Sequence, residues 1–63
     1  MSCDYNNDGL LNNTDRIIYA AYIAAKTAYG PTPTIANVQE RYDTLYVANG
    51  KAPATTIVSI PNK

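Results

Sequence analysis

Residues 4–15 read Asp4-Tyr-Asn6-Asn-Asp8-Gly9-Leu10-Leu-Asn12-Asn-Thr-Asp15. With Asp4 as the first place, oxygen-bearing side chains stand at the first, third, fifth, ninth and twelfth places, and glycine at the sixth. No other feature constrains the chain as much. Ca²⁺ takes about six to eight hard oxygen ligands, and alternate residues of a tightly curled loop supply them. Glycine suits the sixth place, where the chain turns with a conformation other residues resist. Leu10 would offer its main-chain carbonyl, so its side chain is free to be apolar. Asn12 would ligate directly or through water, and Asp15 would close the loop from the first turn of a helix. The expected ligands are thus Asp4, Asn6, Asp8, Leu10, Asn12 and Asp15. Three carboxylates leave the loop at −3 when empty and −1 when filled. Cation affinity would therefore contribute to folding free energy. Mg²⁺, which prefers fewer protein ligands and rigid octahedral geometry, is the poorer match. The same residue types also make an Asx-rich turn that caps a helix without a metal. The filling of every side-chain ligand place favours calcium. The Asn12-Asn13-Thr14 sequon is secondary, since Asn12 is better used as a ligand than as a glycan acceptor.

The rest of the composition narrows the alternatives. A chain of 63 residues is one small domain, and at that size a core alone leaves it marginal. A metal, disulfides or a partner usually make up the difference. One cysteine, Cys3, excludes an internal disulfide framework, and without histidine an ordinary zinc site is excluded too. Five basic residues balance five acidic ones, so no basic surface for nucleic acid is expected. No nucleophile–base arrangement is present, and the expectation is a non-catalytic protein with no small-molecule substrate. The longest apolar run, Ile17 to Ala25, has nine residues. A bilayer span needs about 20, so no membrane insertion is expected. The N-terminus has no basic and apolar regions of a secretory signal.

The expected fold is all-α: a calcium loop and a two-helix hairpin with an extended, strand-like tail, forming one domain over 1–63. The loop and first helix occupy 3–29, with the helix over 15–29. Ile18, Ala21, Tyr22, Ala25 and Tyr29 recur at helical spacing. Gly30-Pro31 and Pro33 stop that helix. A second helix over 34–49 begins at Thr34 or at Asn37, where Asn37 and Glu40 fit a capping box. Ile35, Val38, Tyr42 and Leu45 would form its apolar face, and Asn49-Gly50 its stop. In the tail, 51–63, the stretch Thr55-Thr-Ile57-Val58-Ser-Ile60 is β-branched and extended. It either lies along the chain's own helices or adds to the edge of another chain's sheet.

The segment Cys3–Ala24 resembles one calcium-binding repeat of a type I dockerin, the loop–helix F-hand. The resemblance rests on Asp15 at the twelfth place, where ordinary EF-hands have Glu, and on Asn6 and Asn12 at the third and ninth. Asn13-Thr14 stands where the family often has a Ser/Thr pair. Ile18, Tyr22, Ile23 and Ala24 are similar to its helix pattern. The resemblance covers about a third of the chain and implies calcium at the matching residues. It places Asn13 and Thr14 where family members contact cohesin. A dockerin has two such repeats, and residues 31–63 hold no second Asp-x-Asn-x-Asp-Gly loop.

From Ile17 to Tyr29 only Lys26 and Thr27 are neither apolar nor tyrosine. A helix apolar most of the way round expects cover on several sides, and its alanines allow close approach of another backbone. The cover comes from the core of a tiny monomer or from a protein partner, and bare apolar surface favours the partner. Ile17, Tyr19, Ala20, Ala24, Ile57, Val58 and Ile60 are the expected partner-binding residues. The leading expectation is a calcium-stabilised structural or interaction subunit that packs into a larger assembly. A virion, a fibre or another extracellular complex would suit it. The alternative is a dockerin-like adaptor that binds a cohesin-type receptor.

Overall fold

The computed structural model describes residues 4–7 and 9–61. They form a small all-α structure of two helices, α1 (Asn13–Tyr29) and α2 (Ile35–Tyr42). α2 widens at its end into a π-helical segment, Asp43–Val47. No strand occurs among the described residues, and no helix there is long and apolar enough to cross a membrane.

α1 starts two residues earlier than its apolar spacing predicts because Asn12 caps it. The Asn12 side-chain oxygen accepts from the Thr14 N–H at 3.1 Å, and Asp15 reaches back to the Asn12 N–H at 3.1 Å. Two backbone donors that helix formation strands are thereby satisfied. At the other end, Gly30 takes φ 116° and donates its N–H to the Lys26 carbonyl. α1 turns one stripe inward: Asp15, Ile18, Ala21, Tyr22 and Ala25 are buried. Ala21 and Ala25 are fully buried, so these two small residues serve packing within the chain itself.

α2 begins at the earlier of its two expected starts. Thr34 and Asn37 cap reciprocally, Asn37 N–H to Thr34 Oγ1 at 3.1 Å and Thr34 N–H to Asn37 Oδ1 at 3.0 Å. Asn37 thus stands at the third helical position, and the predicted Asn37–Glu40 box does not form. Glu40 takes the Arg41 guanidinium, the Tyr29 hydroxyl and the Thr44 hydroxyl. Those hydrogen bonds, Arg41's foremost, lower its pKa from the ordinary 4.5 to about 2. Val38 and Tyr42 face the core at helical spacing, whereas Ile35 stays exposed. Burial raises the Tyr42 hydroxyl pKa, with smaller contributions from Asp43 and Asp15.

A continuous second helix to residue 49 was the expectation. Beyond Tyr42 the bonding lengthens, and the Ala48 N–H reaches the Asp43 carbonyl at 2.9 Å, five residues back. The Asn49 side chain donates to the Leu45 carbonyl at 2.9 Å and closes this end. Gly50, at φ 70°, turns the chain away.

The tail then runs back as irregular chain, with no strand among its described residues. The Tyr42 hydroxyl donates to the Pro53 carbonyl. The Gln39 carboxamide donates to the Thr55 carbonyl at 3.0 Å and accepts from the Ile57 N–H at 2.7 Å. Val58 and Ser59 donate their N–H groups to the Tyr5 carbonyl at 2.8 and 3.2 Å. Ile57, expected at a partner contact, is 3% exposed inside the chain's own core. Its side chain is committed to the fold, which covers about 1.5–3 kcal/mol of hydrophobic surface there.

The core comprises Tyr5, Ile18, Ala21, Tyr22, Ala25, Val38, Tyr42 and Ile57. The molecule measures 29 × 29 × 14 Å, a disc little thicker than one helix with its side chains, about 10–12 Å. Such a layer covers one side of α1 and leaves the other in solvent.

Candidate functional site

The loop before α1 curls on its own hydrogen bonds. The Asn7 N–H reaches the Asp4 carbonyl at 3.3 Å, and the Gly9 N–H reaches the Asp4 carboxylate at 2.9 Å. Asn7 (φ 54°) and Gly9 (φ 84°) adopt left-handed conformations, which asparagine and glycine tolerate best. A Cβ on Gly9 would meet nothing within 4 Å. Glycine is therefore required there by backbone conformation and not by crowding.

Asp15 is the anchor of this region. Its side chain is 5% exposed, and its two oxygens accept from the Tyr5 N–H at 3.0 Å and the Asn12 N–H at 3.1 Å. It lies in the first turn of α1, where the helix dipole favours a negative charge. Asn6 donates its amide nitrogen to the Thr55 hydroxyl at 3.1 Å. Leu10 exposes its side chain, as a residue that offers only its carbonyl can. Asp8 lies outside the described residues. Among those described, no three acidic, histidine or cysteine side chains gather into one group.

The residues fit a hard cation by their chemistry. Asp4, Asn6, Leu10, Asn12 and Asp15 offer oxygen ligands, the kind such an ion takes. The described arrangement also pairs the Tyr5, Gly9, Asn12 and Thr14 N–H groups with the side chains of Asp15, Asp4 and Asn12. Asn12 and Asp15 are the two of these that cap α1.

A second feature lies beside the loop. An open groove of about 600 Å³ runs along the start of α1, with Tyr5, Leu11, Asn12, Asp15, Arg16 and Tyr19 in its lining. Leu11 is 68% exposed and Tyr19 48%, and Ile23 continues the apolar face one turn further along α1. Of the expected partner-binding residues, Tyr19, Ala20 and Val58 are exposed. Ile17, Ala24 and Ile60 are half-buried, with Ile17 and Ile60 packed against the core. Tyr22 is covered by the Lys26 ammonium 5.4 Å from its ring centre and by the Tyr19 ring at 6.1 Å.

Sequence reasoning missed Gln39 and Thr55, which join the tail to the helices and to the loop. No spacing rule pairs a helical glutamine with chain 16 and 18 residues further on. Comparison with protein-family models, curated proteins and solved structures found no match.

Proposed function

We propose that this protein is a non-catalytic structural or interaction subunit whose 4–15 loop binds Ca²⁺ and whose outer α1 face packs against a protein partner. The partner is another subunit or a further copy in a larger assembly. The observation that carries the reading is the pairing of two features in one disc. The loop spacing suits calcium, and beside it Leu11, Tyr19 and Ile23 form an apolar face that the thin fold leaves bare. Apolar surface of this kind marks contacts, and tyrosine is enriched in them. Outside the cell or in a virion, a bound calcium ion would stabilise a chain too small for a large core.

Titration calorimetry with Ca²⁺, followed by light scattering of the calcium-loaded chain, tests both halves. Calcium uptake with concentration-dependent association supports the reading. No uptake refutes the cation half, and a monomer at millimolar protein refutes self-assembly.

A dockerin-like adaptor is the second reading. It is favoured by the loop spacing and by Asn13, which is exposed on the first turn of α1. Capture by a cohesin-type receptor that chelator abolishes would establish it, and failure of capture in calcium would exclude it.

A further inference from the structure

The C-terminal tail is seated chiefly through its main chain. The Tyr42 hydroxyl donates to the Pro53 carbonyl, and the Gln39 carboxamide spans the Thr55 carbonyl and the Ile57 N–H. The Tyr5 carbonyl receives the Val58 and Ser59 N–H groups. Ile57 is buried in the core, and Ala52 and Ile60 pack against it. Main-chain hydrogen bonds beside an apolar pocket are a recurring way for a protein surface to take up a peptide. Here surface and peptide belong to one chain, and a single turn joins them.

That turn is the end of the helical segment. The Lys51 N–H reaches the Tyr46 carbonyl at 2.8 Å, and the Gly50 N–H reaches the Val47 carbonyl at 3.1 Å. With Gly50 at φ 70°, this is the Schellman pattern that ends a helix on a left-handed glycine. Ala48, Lys51 and Ala52 around it are good helix formers. With Gly50 in the right-handed conformation the helix continues toward Pro53, which stops it, and the tail leaves its own body. Ile57 is then bare, and covering it again is favourable.

We propose that the surface made by Tyr5, Gln39, Tyr42 and the core around Ile57 also seats the tail of a second copy of this chain, with Gly50 as the hinge. The occupant follows from the fold, since the tail is the segment that fits this surface and every copy carries it. Two opened chains that exchange tails recover all of these contacts, so the closed and exchanged forms differ mainly at the hinge and in the entropy of association. The surface is separate from the outer α1 face, and the exchange needs no cation.

The test follows dimerisation of the full chain by sedimentation equilibrium, in chelator and reducing agent so that neither a cation nor Cys3 joins the copies. The parent is compared with Gly50→Ala and Gly50→Asn. A Cβ at position 50 meets nothing within 4 Å, so alanine acts through backbone conformation alone, whereas asparagine tolerates the left-handed turn. The penalty falls on the closed chain and not on the opened one. Gly50→Ala is therefore expected to strengthen dimerisation by about 30-fold, the square of a roughly fivefold penalty per chain, and Gly50→Asn to stay nearer the parent. In dimers of isotope-labelled and unlabelled Gly50→Ala, nuclear Overhauser contacts are expected between the Ile57 N–H of one copy and the Gln39 side chain of the other. Dimerisation of Gly50→Ala no stronger than the parent's overturns the hinge. A dimer whose Ile57–Gln39 contacts all lie within one copy associates through another face and overturns the exchange. If Gly50→Ala fails to fold, the same labelling of the parent at millimolar concentration decides: contacts between copies support the exchange, and their absence overturns it.

Discussion

Replacing Asp15 by asparagine separates its capping role from the cation-binding role proposed for it. In chelator only the capping role remains. The carboxylate accepts from two backbone donors, Tyr5 N–H and Asn12 N–H, and a carboxamide has one oxygen for the two. Its oxygen will keep the Tyr5 N–H, whose bond is buried, and its nitrogen will face the Asn12 N–H, whose bond is only part-buried. The retained bond falls from charge-assisted to neutral, a loss of about 1 kcal/mol. The stranded Asn12 donor, within reach of water, costs about another 1 kcal/mol, the low end for an unsatisfied group. The sum is ~2 kcal/mol, against a total of roughly 3–9 kcal/mol for a chain of this length. At 4–8 °C per kcal/mol, the melting midpoint falls by ~8–16 °C. Thermal unfolding followed by far-ultraviolet circular dichroism, in excess chelator, reads this directly. A midpoint within ~2 °C of the parent, the effect of a few tenths of a kcal/mol, would refute the assignment of Asp15 as a structural cap.

Other substitutions test other parts of the fold. Ile57→Ala removes a tail side chain buried in the core and is expected to cost ~2–4 kcal/mol in urea unfolding; a loss below ~0.5 kcal/mol, as for a surface site, would show that the tail is not seated there. Gly50→Ala meets no neighbouring atom but must hold φ 70°, so about 1–2 kcal/mol is expected from backbone strain alone, with Gly50→Asn milder. For Glu40 the folded pKa lies below the unfolded one. Its contribution is complete above about 4.5 and is lost as pH falls toward about 2. Carboxyl-carbon NMR that places its midpoint near 4.5 would refute the Glu40–Arg41–Tyr29 cluster in solution.

The helices were largely legible because helical spacing and helix-stop chemistry are local. Ile18, Ala21, Tyr22 and Ala25 declared the buried stripe of α1, and Gly30-Pro31 declared its end. The widening at Asp43 was not legible, since no glycine or proline marks it and the apolar spacing runs on through Leu45 and Tyr46. Ile57 showed that it must be covered, but hydrophobicity does not say whose atoms cover it. The loop carries a deeper ambiguity. An oxygen that satisfies a backbone N–H and one that satisfies a cation belong to the same residue types. Asn12 and Asp15, three apart at the head of a helix, meet both requirements. Gln39 and Thr55 were invisible because their partners are remote in sequence.

The π-helical segment has a consequence for how the chain tolerates change in length. A residue removed from Asp43–Val47 would let the ladder relax to α geometry while the residues after it keep their bearing around the helix axis, because a π turn holds about one residue more than an α turn. A second residue removed there would meet no such slack: it would swing everything after it by about 100°, and the bend at Gly50 would send Pro53, Thr55 and Ile57 out of reach of Tyr42, Gln39 and the core. The surplus residue is spare length: the helix can shed it without changing where the C-terminal residues land.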